Sequence, residues 1–163
     1  MTALEALQAA LDEELSVYRE LHRLTREKRQ QILQGDWPGL RGTVERELEL
    51  LAQLDRWESR RLAATAAVAA DLDLEPRATL QELTRHLPPE PARALTERRL
   101  ALLTVMDEVA RLNATNESLL SQSLAYVDFS LNLLRRAAGT AYDAAGRAQP
   151  AVAPAPARWQ RRA

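Results

Sequence analysis

One short stretch interrupts an otherwise helical pattern and decides how the chain folds: Gln34-Gly35-Asp36-Trp37-Pro38-Gly39. Gly35 suits the left-handed conformation that ends many helices, and Asp36 can cap the N terminus of the helix that follows. Pro38 fits the first turn of that helix, where its missing N–H leaves no hydrogen bond unmade. Because the connection is short, the helices on either side are predicted to be antiparallel neighbours.

Apolar residues recur at helical intervals on both sides of this turn. Upstream, steps of three and four residues form a stripe of Leu4, Leu7, Leu11, Leu15, Tyr18, Leu21 and Leu24, continued by Ile32 and Leu33. Downstream, the predicted seam consists of Leu40, Val44, Leu48, Leu51, Leu54, Trp57 and Leu62, with Trp57 either in the seam or partly exposed. An alanine-rich stretch then ends near Ala70. Two long amphipathic helices are therefore predicted.

Two more helices are predicted after the alanine-rich stretch. The sequence Thr79-Leu80-Gln81-Glu82 has the form of a capping box and opens a short helix that ends before Pro88. A third long helix is predicted from about Ala92 to Ala138, which contains neither Gly nor Pro. Its stripe consists of Leu95, Leu102, Met106, Val109, Asn113, Asn116, Leu120, Leu124, Val127, Leu131 and Leu134.

The composition of the 163 residues agrees with an all-α fold. Hydrophobic residues make up 46 %, which is enough for a core, whereas aromatic residues make up only 4 %, fewer than a β-sandwich or barrel normally contains. We predict an antiparallel bundle or coiled coil of three long helices plus one short helix, in one domain over residues 1–139. Residues 140–163 are predicted to form a Tyr- and Gly-containing turn followed by a disordered Ala/Pro-rich tail, which begins at about Arg147.

The sequence offers little chemistry for catalysis or for binding metals and nucleic acid. The chain has no Cys, which excludes disulfides and thiolate ligands, and His22 and His86 lack the spacing of a metal site. We therefore predict no enzymatic activity, no metal and no cofactor. The net charge of -1 gives no general attraction to nucleic acid. The most apolar run, residues 63–70, is too short to span a membrane, so we expect a cytoplasmic protein without stable membrane insertion.

The third long helix has two features that suggest a partner. Asn113 and Asn116 occupy consecutive seam positions, where a buried amide often specifies register or partner; alternatively, the seam is wet there or both residues face solvent. Beyond them, the helix is also apolar off its stripe, at Tyr126, Phe129 and Leu133. A face of that width either packs deeply or binds a partner.

Four stretches stand in a characteristic order along the chain. The first is 27–36, which ends a helix with a lysine-containing segment followed by Gly-Asp, and the second is the helical stretch 45–60. The third, 112–134, contains Asn-x-x-Asn, a Leu-Leu pair and an amphipathic segment. The fourth is Tyr142-Asp143-Ala144-Ala145-Gly146. In this order the chain resembles the FlgN family of flagellar export chaperones over most of residues 1–147. It departs from the family at Asp143, where many members have Gly.

The resemblance implies a cytoplasmic chaperone of type III protein export in bacterial flagellum biogenesis. Its clients would be the C-terminal helical ends of hook–filament junction (hook-associated) proteins of the FlgK and FlgL type, delivered to an export gate that includes FlhA. The client-binding residues would be Leu119, Leu120, Leu124, Val127, Leu131 and Leu134. Asn113 and Asn116 would set the helix register, and Tyr142 with Gly146 would dock on the gate. Two alternatives remain, a coiled-coil scaffold or adaptor without a client and an export chaperone for another flagellar substrate.

Overall fold

The structure of the chain, a computed structural model, describes residues 2–139. This part folds into four helices and no strand: α1 (Ala3–Gln34), α2 (Trp37–Asp71), α3 (Leu80–His86) and α4 (Pro89–Gly139). The predicted all-α fold with three long helices and one short one is therefore confirmed. The chain divides into two compact units, Met1–Leu119 and Leu120–Ala163.

The turn between α1 and α2 is built as its residues predict. Gly35 has a φ of 69°, in the left-handed region, and ends α1. The Asp36 carboxylate accepts a hydrogen bond from the Gly39 N–H at 3.0 Å and caps α2. A Cβ atom on residue 39 would lie 2.1 Å from Asp36 Oδ2, so a larger residue there would displace the capping carboxylate. Pro38 stands in the first turn, as expected.

The short helix α3 begins with the predicted capping box. The Thr79 hydroxyl accepts from the Glu82 N–H at 3.2 Å, and the Glu82 carboxylate accepts from the Thr79 N–H at 2.6 Å. Leu83, on the inner side of α3, is fully buried. The short helix α3 therefore contributes a core residue to the first unit.

Contacts within the first unit give the directions of its long helices. Glu14 pairs with Arg61 and Lys28 pairs with Glu47, so α1 and α2 are antiparallel as predicted. Asp12 pairs with Arg98, and the chain order of the α1–α4 contacts shows that α4 runs parallel to α1. The core between these helices consists of Leu7, Leu11, Leu15, Ala64, Val68, Ala69, Leu83, Leu95, Leu102 and Val105, with a second cluster of Val17, Leu21 and Leu54.

The predicted seam of α2 is wrong over most of its length. Val44, Leu48, Leu51 and Leu62 are exposed, whereas the inward face is occupied by Thr43, Glu47, Leu50, Leu54, Trp57, Arg61, Ala64 and Val68, each buried or half-buried. This set keeps the three-and-four spacing of a coiled-coil seam without being apolar throughout. Polar residues occupy the inward face because neighbouring side chains satisfy them, as Lys28 does for Glu47.

The predicted stripe of α4 is correct at alternate positions and displaced by one residue between them. The correct positions, each buried or half-buried, are Leu95, Leu102, Val109 and Asn116. Val105 is buried where the prediction placed Met106, and Leu112 is half-buried where it placed Asn113; both Met106 and Asn113 are exposed. At the end of α1, Leu33 is also exposed rather than part of the stripe. Neighbouring residues point about 100° apart around a helix. Counting apolar residues therefore did not identify which of two neighbours faces the core at these positions.

Candidate functional site

A buried amide joins α4 to α1. Asn116 is only 2 % exposed, and its Nδ2 donates a hydrogen bond to the Thr25 carbonyl oxygen at 3.0 Å. Its Oδ1 has no hydrogen-bond partner among the residues described. The Thr25 hydroxyl donates to the Leu21 carbonyl oxygen at 2.7 Å within α1 and also lies 3.4 Å from Glu47 Oε1 of α2. A contact of this kind is directional and holds in one register of the two helices.

Asn113 takes part in a second polar contact at the edge of the same interface. Lys28 Nζ donates to Asn113 Oδ1 at 3.1 Å and to both carboxylate oxygens of Glu47 at 2.8 Å. The Lys28 and Glu47 side chains are 14 % and 13 % exposed, so this ion pair is largely removed from water. One ammonium group therefore connects α1, α2 and α4 a short distance from Asn116.

A further buried ion pair connects α1 and α2. Arg61 Nε donates to both carboxylate oxygens of Glu14, at 3.1 and 2.9 Å. Burial raises the pKa of the Glu14 carboxyl above its ordinary value, and the charge and hydrogen bonds of Arg61 oppose that rise. The pair belongs to the framework of the first unit, and nothing in its geometry suggests catalysis.

The second unit presents a large apolar surface on the part of α4 that follows Leu119. Seven of its side chains are between 45 and 72 % exposed, and Leu120 is half-buried. We call this set the distal apolar surface: Leu120, Leu124, Tyr126, Val127, Phe129, Leu131, Leu133 and Leu134. It contains five of the six residues predicted to bind a client. The sixth, Leu119, is half-buried and is the last residue of the first unit.

The first unit carries an apolar surface that the sequence analysis missed. Val44, Leu48 and Leu51 lie at steps of four and three along α2 and are exposed, although their spacing had suggested the core. The sequence gives little sign of this exposure, because the residues that face inward beside Val44 and Leu48 are the polar Thr43 and Glu47. The two residues predicted to dock on an export gate, Tyr142 and Gly146, lie outside the described residues.

Comparison with known proteins identifies one family. The sequence model of the family described as FlgN protein matches residues 1–150, which include the asparagine pair, the distal apolar surface and Tyr142 with Gly146. No curated protein and no solved structure matches the chain. Over residues 2–139, no helix is both long enough and apolar enough to cross a membrane.

Proposed function

The chain belongs to the FlgN family of flagellar export chaperones, and we propose that its clients are the C-terminal helical ends of hook-associated proteins of the FlgK and FlgL type. The chaperone binds them in the cytoplasm and delivers them to an export gate that includes FlhA. The bound client is kept soluble until export. Binding alone is required for this task, and no covalent step enters the proposal.

The single observation that supports client binding most strongly is the exposure of the distal apolar surface. Leu124, Val127, Leu131 and Leu134 are each roughly half exposed or more. Their burial beneath a client helix would supply about 4 kcal/mol of gross driving force. An amphipathic client segment contributes its own apolar face to the same contact and folds as it binds. The ordering of the client offsets much of this gain, which keeps the complex reversible.

The asparagine pair supports a positioning role in this proposal. Asn116 bonds to the backbone of α1, and Asn113 bonds to Lys28, which also holds α2. A buried polar contact between helices is a well-attested means of selecting one register. We assign these residues to fixing α4 against the α1–α2 hairpin.

Docking on the gate is assigned to Tyr142 and Gly146. This assignment is supported by the resemblance of residues 142–146 to the Tyr- and Gly-containing segment that follows the last helix in the family. A Tyr142→Ala variant is expected to keep client binding and to lose export of the junction protein. Normal export by this variant would remove the role.

Client binding is tested by placing charge on the distal apolar surface. A Leu124→Glu/Leu131→Glu double variant is expected to lose co-purification with the C-terminal segment of a FlgK-type protein. The matched control is Leu48→Glu/Leu51→Glu, which changes two exposed leucines of α2 in the same way. Circular dichroism should show unchanged helix content in both variants, because none of the four side chains is buried. Binding by the first variant at the wild-type level would contradict the proposed site, and loss only in the control would move it to α2.

A further inference from the structure

The distal apolar surface consists of two stripes on different sides of α4. At about 100° per residue, Leu120, Leu124, Val127, Leu131 and Leu134 fall within roughly 80° of arc, and we call them the aliphatic stripe. Tyr126, Phe129 and Leu133 fall within roughly 60° of arc and form the aromatic stripe. The centres of the two stripes are about 150° apart around the helix axis. Every member is exposed except the half-buried Leu120.

Serines separate the two stripes on the shorter way around the helix. Ser123 and Ser130 lie between them, and the Ser130 hydroxyl donates to the Tyr126 carbonyl oxygen at 2.9 Å within the helix. The aliphatic stripe, the serine line and the aromatic stripe together cover about 220° of the circumference. A helix that packs on one neighbour normally uses an apolar stripe of about 100°. One docked helix therefore leaves one of the two stripes in water.

The remaining side of this segment is narrow and polar. It carries Ser121, Ala125, Asp128 and Asn132. Asp128 is the only charged residue between positions 120 and 134, and it makes no ion pair in the part of the chain that the structure describes. By its angular position it borders the aliphatic stripe.

The position of Asp128 argues against a second copy of this chain paired over the whole of residues 120–134. A symmetric pairing of the segment with itself, centred near residue 127, would bring two Asp128 carboxylates to the same level. No Lys or Arg lies between positions 120 and 134 to neutralise them, and Arg135 and Arg136 lie about 13 Å or more along the helix from the other Asp128 in this register. Like charges flanking a helix–helix seam disfavour the pairing, and an opposite charge on a different partner favours it.

We propose that the distal apolar surface binds two helices of one client at the same time, one on each stripe. This inference rests on the proposed function and adds the form of the client, a segment of two consecutive amphipathic helices. The helix on the aliphatic stripe carries Lys or Arg beside its apolar face, opposite Asp128. The helix on the aromatic stripe offers a hydrogen-bond acceptor to the Tyr126 hydroxyl, since a phenol that is buried on binding requires a partner.

Two attachments on one client also affect its release. Once one helix is bound, the second binds at a high effective concentration, so the whole segment is held more tightly than either helix alone. Dissociation can then proceed one helix at a time.

Alanine substitutions on the two stripes test the inference separately. We expect Leu124→Ala/Leu131→Ala and Tyr126→Ala/Phe129→Ala each to weaken binding of the C-terminal segment of a FlgK-type protein about tenfold or more, as measured by calorimetry. The control, Ser121→Ala/Asn132→Ala on the polar side, should bind as the wild type does. A peptide of only one client helix should be sensitive to one pair of substitutions and not to the other.

The remaining outcomes contradict the inference in distinguishable ways. Loss of binding in one pair of substitutions, with wild-type affinity in the other, would mean that a single helix binds, and the proposed chaperone function would stand. Wild-type affinity in both pairs would overturn the proposed client site as well. If sedimentation of the chaperone alone showed a dimer that the substitutions dissociate, the occupant would be a second copy, and the two-helix client would be refuted.

Discussion

Replacement of Asn116 by leucine tests whether this residue serves the stability of the first unit or the register of its helices. The amide is 2 % exposed, donates one hydrogen bond to Thr25 and leaves its Oδ1 without a partner in the described part of the chain. Loss of the hydrogen bond costs about 1 kcal/mol, whereas removal of the unsatisfied buried oxygen returns about 1–3 kcal/mol. The added apolar burial is offset in part by the strain of a branched side chain in a packed site. We therefore expect Asn116→Leu to raise the free energy of unfolding by about 1–2 kcal/mol.

The assay is urea unfolding of the full chain followed by circular dichroism, together with calorimetry of client binding. Ala114→Leu is the control, because residue 114 is exposed on α4 and has no assigned role in the register, so the change should leave both stability and client binding nearly unaltered. If Asn116 sets the register, the leucine variant should be more stable and yet bind the client segment more weakly. A loss of more than about 1 kcal/mol of stability would refute the reasoning, since the amide would then be a stabilising contact.

Other consequences of the fold can be tested by substitution and by pH. Gly39→Ala should lower the unfolding free energy by about 1 kcal/mol, as Asp36→Ala should, and the double variant should be no worse, because both changes remove the same cap. Leu54→Ala should cost about 2–4 kcal/mol and Leu48→Ala less than about 0.5 in urea unfolding, since only Leu54 is buried. The raised pKa of Glu14 means that its contribution to stability is present below its ordinary pKa of 4.5 and is lost as the pH rises through the folded-state value. Relative to the wild type, Glu14→Gln should therefore gain stability as the pH rises above 4.5, and a parallel pH dependence of the two proteins would contradict this.

The caps of α1, α2 and α3 could be predicted because their causes are local, whereas α4 begins at Pro89, three residues before the predicted start. Gly35 and Asp36 act through the conformation of one residue and one short hydrogen bond, which neighbours in sequence suffice to define. The capping box at Thr79 and Glu82 is equally local. Each of these features appears in the structure at the predicted residue.

The orientation of α2 could not be predicted because it depends on contacts distant in sequence. Glu47 can face inward because Lys28 of α1 lies across from it and pairs with it. Arg61 can face inward because it pairs with Glu14 of α1 in the same way. Leu48 and Leu51, which the apolar pattern placed in the seam, are exposed as a result. A count of apolar residues assigns every charged residue to the solvent-facing side of a helix. A charged residue that pairs with an opposite charge on the neighbouring helix can face inward instead.

The sequence predicted which part of α4 carries the candidate surface, but not how its residues are arranged around the helix. The apolar width of residues 119–134 predicted either deep packing or a partner, and seven of these side chains are exposed in the structure. The arrangement in two stripes follows from their angular positions on the helix. The roles of these residues in client binding, and those of Tyr142 and Gly146 at the gate, remain predictions.

Hydrogen–deuterium exchange of the full chain, with and without the C-terminal segment of a FlgK-type protein, tests the central claim most directly. If the distal apolar surface binds the client, amides of residues 120–134 should exchange markedly more slowly in the complex, and those of residues 44–51 in α2 should be unchanged. Unchanged exchange over 120–134, or slowing confined to α2, would contradict the assignment.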